Sequence, residues 1–342
     1  MNKTTSSLVI FCAAIISVAG LFLFLDVDYM VLKFAVIIAA VLLLNLMLSG
    51  LGKFINQKCS IKPWVNRVGS GMLTVLSLLV MLYGTAYVVQ DRMFFLNIHD
   101  EESREFLQGR PGFHEVKFTD ANGITRHGMM RKVSDEPAPL VIYFGGNAEV
   151  SYRNLRNHEE LGQWQYFPGY HYLFVDYEGY GINDGRNHYL KMYEHALAVY
   201  DWVVTLPGVD TSRIVAMGYS LGTGSAVYLA AHRPVAGLIL AAPYANGFDL
   251  YNNAFPIFKG PMRRIVRQRL PSDEFAPKVT SPVLIIASRR DEIVPFSSSE
   301  QLSGLFKSDV DFMVLNNVPH NAVFQAEGVF DKIRSFLVKI AS

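Results

Sequence analysis

The sequence predicts an α/β protein, a mostly parallel sheet flanked by helices, preceded by an N-terminal bundle of about three membrane-spanning helices. Three observations predict it. From residue 140 onward, short apolar strand-like runs alternate with helical ones, as in a parallel sheet covered on both faces. Within that alternation, Gly218-Tyr219-Ser220-Leu221-Gly222 stands between a strand-like run and a helix with small residues in its first turn. Before residue 90, three long runs are almost free of charge, near the length that crosses a bilayer.

Residues 8–25 form the first of these runs and carry no charge. After Asp26-Val27-Asp28, residues 29–48 form a second, whose one lysine, Lys33, can snorkel to the interface. Residues 68–89 form a third, with Tyr83 and Tyr87 suited to an interfacial belt. Lys3 precedes the first run, and Lys53, Lys58, Lys62 and Arg67 fill the loop before the third with no acid among them. Positive charge favours the cytoplasm, so everything after residue 90 is expected on the periplasmic or extracellular face of a cell or inner membrane. Ser17-Val18-Ala19-Gly20 partly fits a signal cleavage site, although the apolar run continues to Leu25. Cleavage there would leave the downstream orientation unchanged.

Composition agrees with a membrane segment plus one α/β domain: 342 residues, 51% of them hydrophobic. The net charge of +1 gives no global electrostatic case for a nucleic-acid partner. Both cysteines, Cys12 and Cys59, precede residue 90, which excludes disulfides and zinc–thiolate sites within the later domain. No metal, cofactor or obligate protein partner is implied.

Residues 91–112 read as a connector, helical near 101–107. The α/β domain then runs over 113–342. Residues 114–119 and 124–133 alternate in polarity around Asp120-Ala121-Asn122-Gly123, a hairpin signal. Pro137 and Pro139 break the chain before a buried strand at 140–144, and further strands are expected at 170–176, 213–217, 236–241, 282–287 and 310–315. Helices are expected at 189–206, 223–232, 297–306 and 322–340, with an irregular insertion at about 244–281.

A G-x-S-x-G between strand and helix presents its serine on a strained turn, with glycines where a Cβ would clash. A serine hydroxyl needs an adjacent base to act as a nucleophile. Only His232 and His320 follow Ser220. His232 lies about three turns along the helix after the serine and points away, whereas His320 follows the last strand, where the order serine, acid, histidine puts the base. The acid should follow the strand at 282–287, where Asp291 and Glu292 both qualify. Oxyanion stabilisation needs backbone N–H groups. Leu221, next to the serine, offers one; the loop Gly145-Gly146-Asn147-Ala148 offers the other, placed at Asn147.

These residues resemble the α/β-hydrolase superfamily, and within it the Bem46-like branch that includes membrane-anchored ABHD hydrolases, over roughly residues 110–342. The carriers are Tyr143-Phe144-Gly145-Gly146-Asn147-Ala148, Asp176-Tyr177-Glu178-Gly179-Tyr180-Gly181, Gly218 to Gly224, Asp291-Glu292-Ile293-Val294-Pro295 and Pro319-His320-Asn321. The resemblance favours Asp291 as the acid and implies acyl-enzyme chemistry on carboxylic esters, thioesters, lysophospholipids or peptides. Gly145 stands where such relatives usually have histidine, Glu178 where they have arginine, Asn183 where serine is common, and Ala287-Ser288 replaces His-Gly. The expectation is a lipase-like serine esterase acting on lipid or acylated substrates. A peptidase of the same fold, or a catalytically silent membrane scaffold, stands as the alternative. The insertion mixes Phe248, Tyr251, Phe255, Ile257 and Phe258 with Arg263, Arg264, Arg267 and Arg269. Such a short cap could rest on anionic headgroups or pack its aromatics on the sheet.

Overall fold

The computed structural model describes residues 39, 50, 63–96, 98–254 and 258–341. The chain divides into two compact units, Met1–Met93 and Phe94–Ser342. The expected spans at 8–25 and, apart from position 39, at 29–48 lie outside the described residues. The third falls within helix α1 (Pro63–Phe94), which opens on a proline whose missing N–H costs nothing in a first turn. Met72, Val75, Leu76 and residues 78–82 of α1 are apolar and exposed. Against the expectation for 68–89, no helix among the described residues is long and apolar enough to cross a membrane. That stretch is punctuated by Gly69, Ser70, Gly71, Thr74, Ser77, Gly84 and Thr85.

The second unit opens with helix α2 (Glu101–Leu107), capped by the Asp100 carboxylate on the Ser103 N–H. An antiparallel hairpin of β1 (Phe113–Thr119) and β2 (Thr125–Arg131) follows. Its turn is closed by Asp120, whose carboxylate accepts from the Asn122 and Ile124 N–H groups. The remaining strands are β3 (Ala138–Phe144), β4 (His171–Val175), β5 (Val209–Tyr219), β6 (Gly237–Ala241), β7 (Val283–Ser288) and β8 (Val310–Leu315). The sheet order is β1-β2-β4-β3-β5-β6-β7-β8. Pairing is antiparallel as far as β4 and parallel from β4 to β8.

Alternate side chains of β3 divide between two cores. Leu140, Ile142 and Phe144 join the core with Met192, Val199 and Leu229, whereas Val141 and Tyr143 join the one with Leu155, Ile333 and Phe336. Burial on both faces accounts for the unbroken apolar sequence of the central strands. Helices α3 (Ser151–Glu160) and α9 (Val329–Ala341) cover one face, and α4 (Tyr189–Val203) and α5 (Gly222–His232) the other.

Three further differences lie in the helices of the second unit. Helix α3 was not expected; it is polar and buries only Ser151, Tyr152, Leu155 and His158, too few for a continuous apolar stripe. The helix expected over 322–340 is broken into a 3₁₀ turn, His320–Gln325, and α9. Gly328 at φ 79° reverses the chain between them. The insertion is not irregular: it holds α6 (Gly247–Ala254), a 3₁₀ turn at Gly260–Ile265 and the short α7 (Ser272–Phe275). Helix α8 (Phe296–Ser303) follows β7.

Candidate active site

Strand β5 ends at Tyr219, and α5 starts at Gly222. Ser220 turns the corner between them at φ 49°, a left-handed conformation that costs a non-glycine residue about 1–2 kcal/mol. The turn is over-determined by its bonds. Ser220 N–H donates to the Ala241 carbonyl at 2.9 Å, and the Ser220 carbonyl accepts from Thr223 N–H at 3.0 Å and Thr223 Oγ1 at 2.6 Å. A Cβ at Gly222 would run into the Phe144 and Gly145 carbonyls, and one at Gly218 into the Gly222 carbonyl. Both glycines are dictated by close backbone approach.

His320 opens the 3₁₀ turn after β8, and Asp291 lies in the loop after β7. The His320 Nδ1 is 2.7 Å from Asp291 Oδ2, and its Nε2 is 2.8 Å from Ser220 Oγ. A carboxylate can only accept, so Nδ1 carries the proton and Nε2 is free to accept from the serine hydroxyl. Both partner side chains are nearly sealed, at 4% exposure for His320 and 2% for Asp291. The other carboxylate oxygen of Asp291 accepts from the N–H groups of Ile293 at 2.9 Å and Val294 at 2.8 Å. Those two bonds aim Oδ2 at the imidazole.

The second acid candidate has a different place. Glu292 accepts from the His320 backbone N–H at 3.1 Å rather than from the ring. Tyr219 holds His320 from the other side: its hydroxyl donates to the His320 carbonyl at 3.0 Å, and the two rings stack at 5.3 Å. His232, at the end of α5, donates from Nδ1 to the Tyr228 carbonyl. Arg289 lies over the Phe296 ring at 4.5 Å, and Arg290 is exposed.

The Gly145–Ala148 loop follows β3 and abuts the serine, for a Cβ on Gly146 would lie 3.4 Å from Ser220 Cβ. In the hydrogen bonds of the described residues, neither the Asn147 nor the Leu221 N–H is committed to a protein acceptor. At Gly145 the Phe174 ring leaves no room for a Cβ, and so none for the histidine that the resemblance implies there. Glu178, in the place of an arginine, pairs with Lys191 at 2.7 Å. Asn183 ties the loop to the hairpin, accepting from His127 N–H at 2.8 Å and donating to the Asp176 carbonyl at 2.6 Å.

Residues given no role in the sequence reading complete the support. Glu149 is half-buried, and its Oε2 accepts from Gly146 N–H at 2.7 Å and Tyr143 O–H at 2.8 Å. Burial pushes its carboxyl above the usual range, the two hydrogen bonds opposing. The only sequence cue was its position, three residues after Gly146. Asp176 accepts from Ser151 N–H at 2.6 Å and Ser151 O–H at 2.7 Å, and burial pushes its pKa up to about 7. Of the insertion's aromatics, Tyr251 and Phe258 are buried and meet edge to face at 5.2 Å; Phe255 and Ile257 lie outside the described residues. Arg263 covers the Phe248 ring at 4.1 Å. Among the described residues, no group of three or more His, Cys, Asp or Glu could hold a metal ion.

A serine on a strained strand-to-helix turn, above a mostly parallel sheet and within reach of a carboxylate-backed imidazole, defines the class: this is an α/β-hydrolase fold. Comparisons with known proteins agree. Residues 184–322, which include Ser220, Asp291 and His320, match the model of the dienelactone hydrolase family. An uncharacterised protein of Mycobacterium tuberculosis is 35% identical over 205 residues, 59% of this chain and 71% of that one. The chain belongs to the same family as that protein. An alpha/beta hydrolase domain-containing protein of Caenorhabditis elegans, aho-3, is 28% identical over 193 residues, 54% of this chain and 56% of the other. An esterase of Pyrococcus furiosus shares the fold, with a TM-score of 0.56 and 16% identity over 72% of this chain and 98% of that one.

Proposed function

We propose that this protein is a serine hydrolase that cleaves carboxylic ester or thioester bonds through an acyl-enzyme, with Ser220 as nucleophile, His320 as base and Asp291 as its orienting acid. The observation that carries the reading is the continuous hydrogen-bonded relay of Ser220 Oγ to His320 Nε2 at 2.8 Å and His320 Nδ1 to Asp291 Oδ2 at 2.7 Å. Attack of Oγ on the acyl carbon passes the hydroxyl proton to Nε2, while Asp291 stabilises the imidazolium. The N–H groups of Asn147 and Leu221 receive the developing oxyanion. Collapse breaks the bond from the acyl carbon to the leaving oxygen or sulfur, which departs with the proton from His320. Water then gives a proton to His320 and attacks the acyl-enzyme, which releases the acid and restores Ser220.

Membrane anchoring is part of the proposal. Its support is the uncharged sequence of 8–25, the nearly uncharged 29–48 and the exposed apolar side chains of α1. A tethered site meets acylated or lipid substrates at high local concentration, so these are the substrate class we propose.

Labelling of the full chain with a fluorophosphonate probe tests the chemistry, with Ser220→Ala as control. Ser220-dependent labelling is expected, and none in folded protein would refute the enzyme reading. Turnover of p-nitrophenyl esters of increasing acyl length, beside a matching peptide anilide, separates esterase from peptidase. Retention of the chain in membranes washed with alkaline carbonate is the expected result for the anchor; release would remove it.

A further inference from the structure

The stretch just past α1 read as a plain connector, yet its backbone is bonded into the loops around Ser220. Leu96 N–H donates to Asn147 Oδ1 at 2.9 Å, and the Tyr180 hydroxyl donates to the same oxygen at 2.9 Å. The Ile98 carbonyl accepts from Gly181 N–H at 3.1 Å. Phe95 is buried in the core that also holds Phe144, Tyr177 and Tyr180. Asp100 closes the stretch: one oxygen caps α2 at Ser103, and the other takes Arg153 of α3.

The target of these bonds is the residue whose N–H is proposed to meet the oxyanion. Asn147 sits between Gly146, held by Glu149, and Ala148, strained at φ 63°. A loop with a left-handed alanine needs outside bonds to stay in one conformation. Two donors converging on one amide oxygen supply them. The Leu96 side chain is 51% exposed, so the contribution of this residue is its backbone N–H.

We propose that Leu96 and Tyr180 are positioning residues of the active site, whose N–H and hydroxyl clamp Asn147 so that its own N–H faces the reacting carbonyl oxygen. This rests on the ester-hydrolase reading above. A positioning role makes a specific demand. Loosening the clamp weakens transition-state stabilisation while leaving substrate binding and the His320–Asp291 pair alone.

The test uses the full chain in detergent with p-nitrophenyl butyrate. Leu96→Pro deletes the N–H, and Tyr180→Phe deletes the hydroxyl. Each is expected to lower kcat roughly ten- to a hundredfold, the scale of a small misplacement. KM and the pH midpoint of kcat/KM should stay at the wild-type values. Wild-type kcat in either folded variant overturns the proposal. So does a loss that appears equally in KM or shifts the pH midpoint, since a general disturbance of the domain would do that. If Leu96→Pro fails to fold, Tyr180→Phe decides by the same criteria. Wild-type protein that shows no Ser220-dependent hydrolysis refutes the underlying hydrolase reading instead, before any variant is compared.

Discussion

His195 and His320 are both buried, and both have each ring nitrogen hydrogen-bonded. His195 lies between the Arg126 guanidinium, 2.9 Å from its Nδ1, and the Val175 carbonyl, 3.1 Å from its Nε2. Arginine can only donate and a carbonyl can only accept, so the ring is fixed as the neutral Nε2–H tautomer. Burial, with the Arg126 charge added, drives its pKa well below the ordinary value. His320 has the opposite neighbours, an acceptor-only carboxylate on Nδ1 and a hydroxyl on Nε2. Its free lone pair faces a proton source, and the charge it would gain has a counter-ion. Equal burial and equal satisfaction therefore give one inert histidine and one fit for general-base work. The sign of the neighbour decides.

Breaking the His320 side should have the largest effect on activity. Asp291→Asn places an amide beside Nδ1 and favours the wrong tautomer, so kcat should fall about 10⁴-fold, with Ser220→Ala at least as severe. Thermal melting should hardly move, because on the proposed reading these side chains serve chemistry rather than packing. Ester turnover measured beside a melting curve checks both halves. An Asp291→Asn variant with more than a tenth of wild-type kcat would show that Asp291 is not the orienting acid.

Breaking the His195 side should do the reverse. The Arg126–Asp120 pair is 2.7 Å long, with side chains 2% and 3% exposed. Removing one partner of a buried pair costs about 3–5 kcal/mol, because the other charge is left uncompensated. Arg126→Met is expected to lose that much in urea unfolding while the folded fraction keeps its kcat. Loss of activity per folded molecule would tie the hairpin to the site more closely than its geometry does.

Much of this contrast was legible in the sequence. The elbow, the order serine–acid–histidine and the hairpin turn at Asp120-Ala121-Asn122-Gly123 are local signals whose backbone demands fix the residue type. The central strands were legible because burial on both faces leaves unbroken apolar runs. Their ends were less so: β5 begins at Val209 rather than 213, as Asp210, Thr211 and Ser212 give no apolar signal. The residues that support the site were not legible. Glu149, Tyr180 and Leu96 act through bonds across 3, 33 and 51 positions; Tyr180 stood in a quoted motif, but nothing in the sequence pointed to its bond with Asn147, and Glu149 and Leu96 were not singled out at all. Position alone left Asp291 and Glu292 both open and the resemblance favoured Asp291; the loop after β7 turns the Asp291 carboxylate to the His320 ring and that of Glu292 to the His320 backbone N–H.

Asp176 tests the comparison through pH. Its folded pKa of about 7 lies above the ordinary 3.8, chiefly through burial, so the fold prefers the protonated carboxyl. That contribution to stability is fully present below about pH 4 and is lost as pH rises through about 7. His158 works the other way. Burial lowers its pKa to about 4, so its contribution is present above about pH 6.5 and lost as pH falls through about 4. The two slopes oppose each other in the wild type. Asp176→Asn removes one of them, and its melting temperature relative to wild type should rise between about pH 4 and 7. A constant difference across that range would mean that Asp176 is ionised in the fold.

The smallest effect is expected at Glu149, a half-buried residue whose carboxyl uses one oxygen for both Gly146 N–H and Tyr143 O–H. Glu149→Gln keeps an acceptor oxygen of the same reach. If acceptance is all that matters, kcat should fall only a few-fold, well under the roughly hundredfold loss of an oxyanion donor. Glu149→Leu leaves both donors without an acceptor, each costing about 1–3 kcal/mol, and should lower melting temperature and kcat together. The pair of variants thus measures charge separately from hydrogen bonding. Equal losses of kcat in both would mean that the carboxylate is ionised and acts on the His320 ring, a second anion on the catalytic side of the comparison.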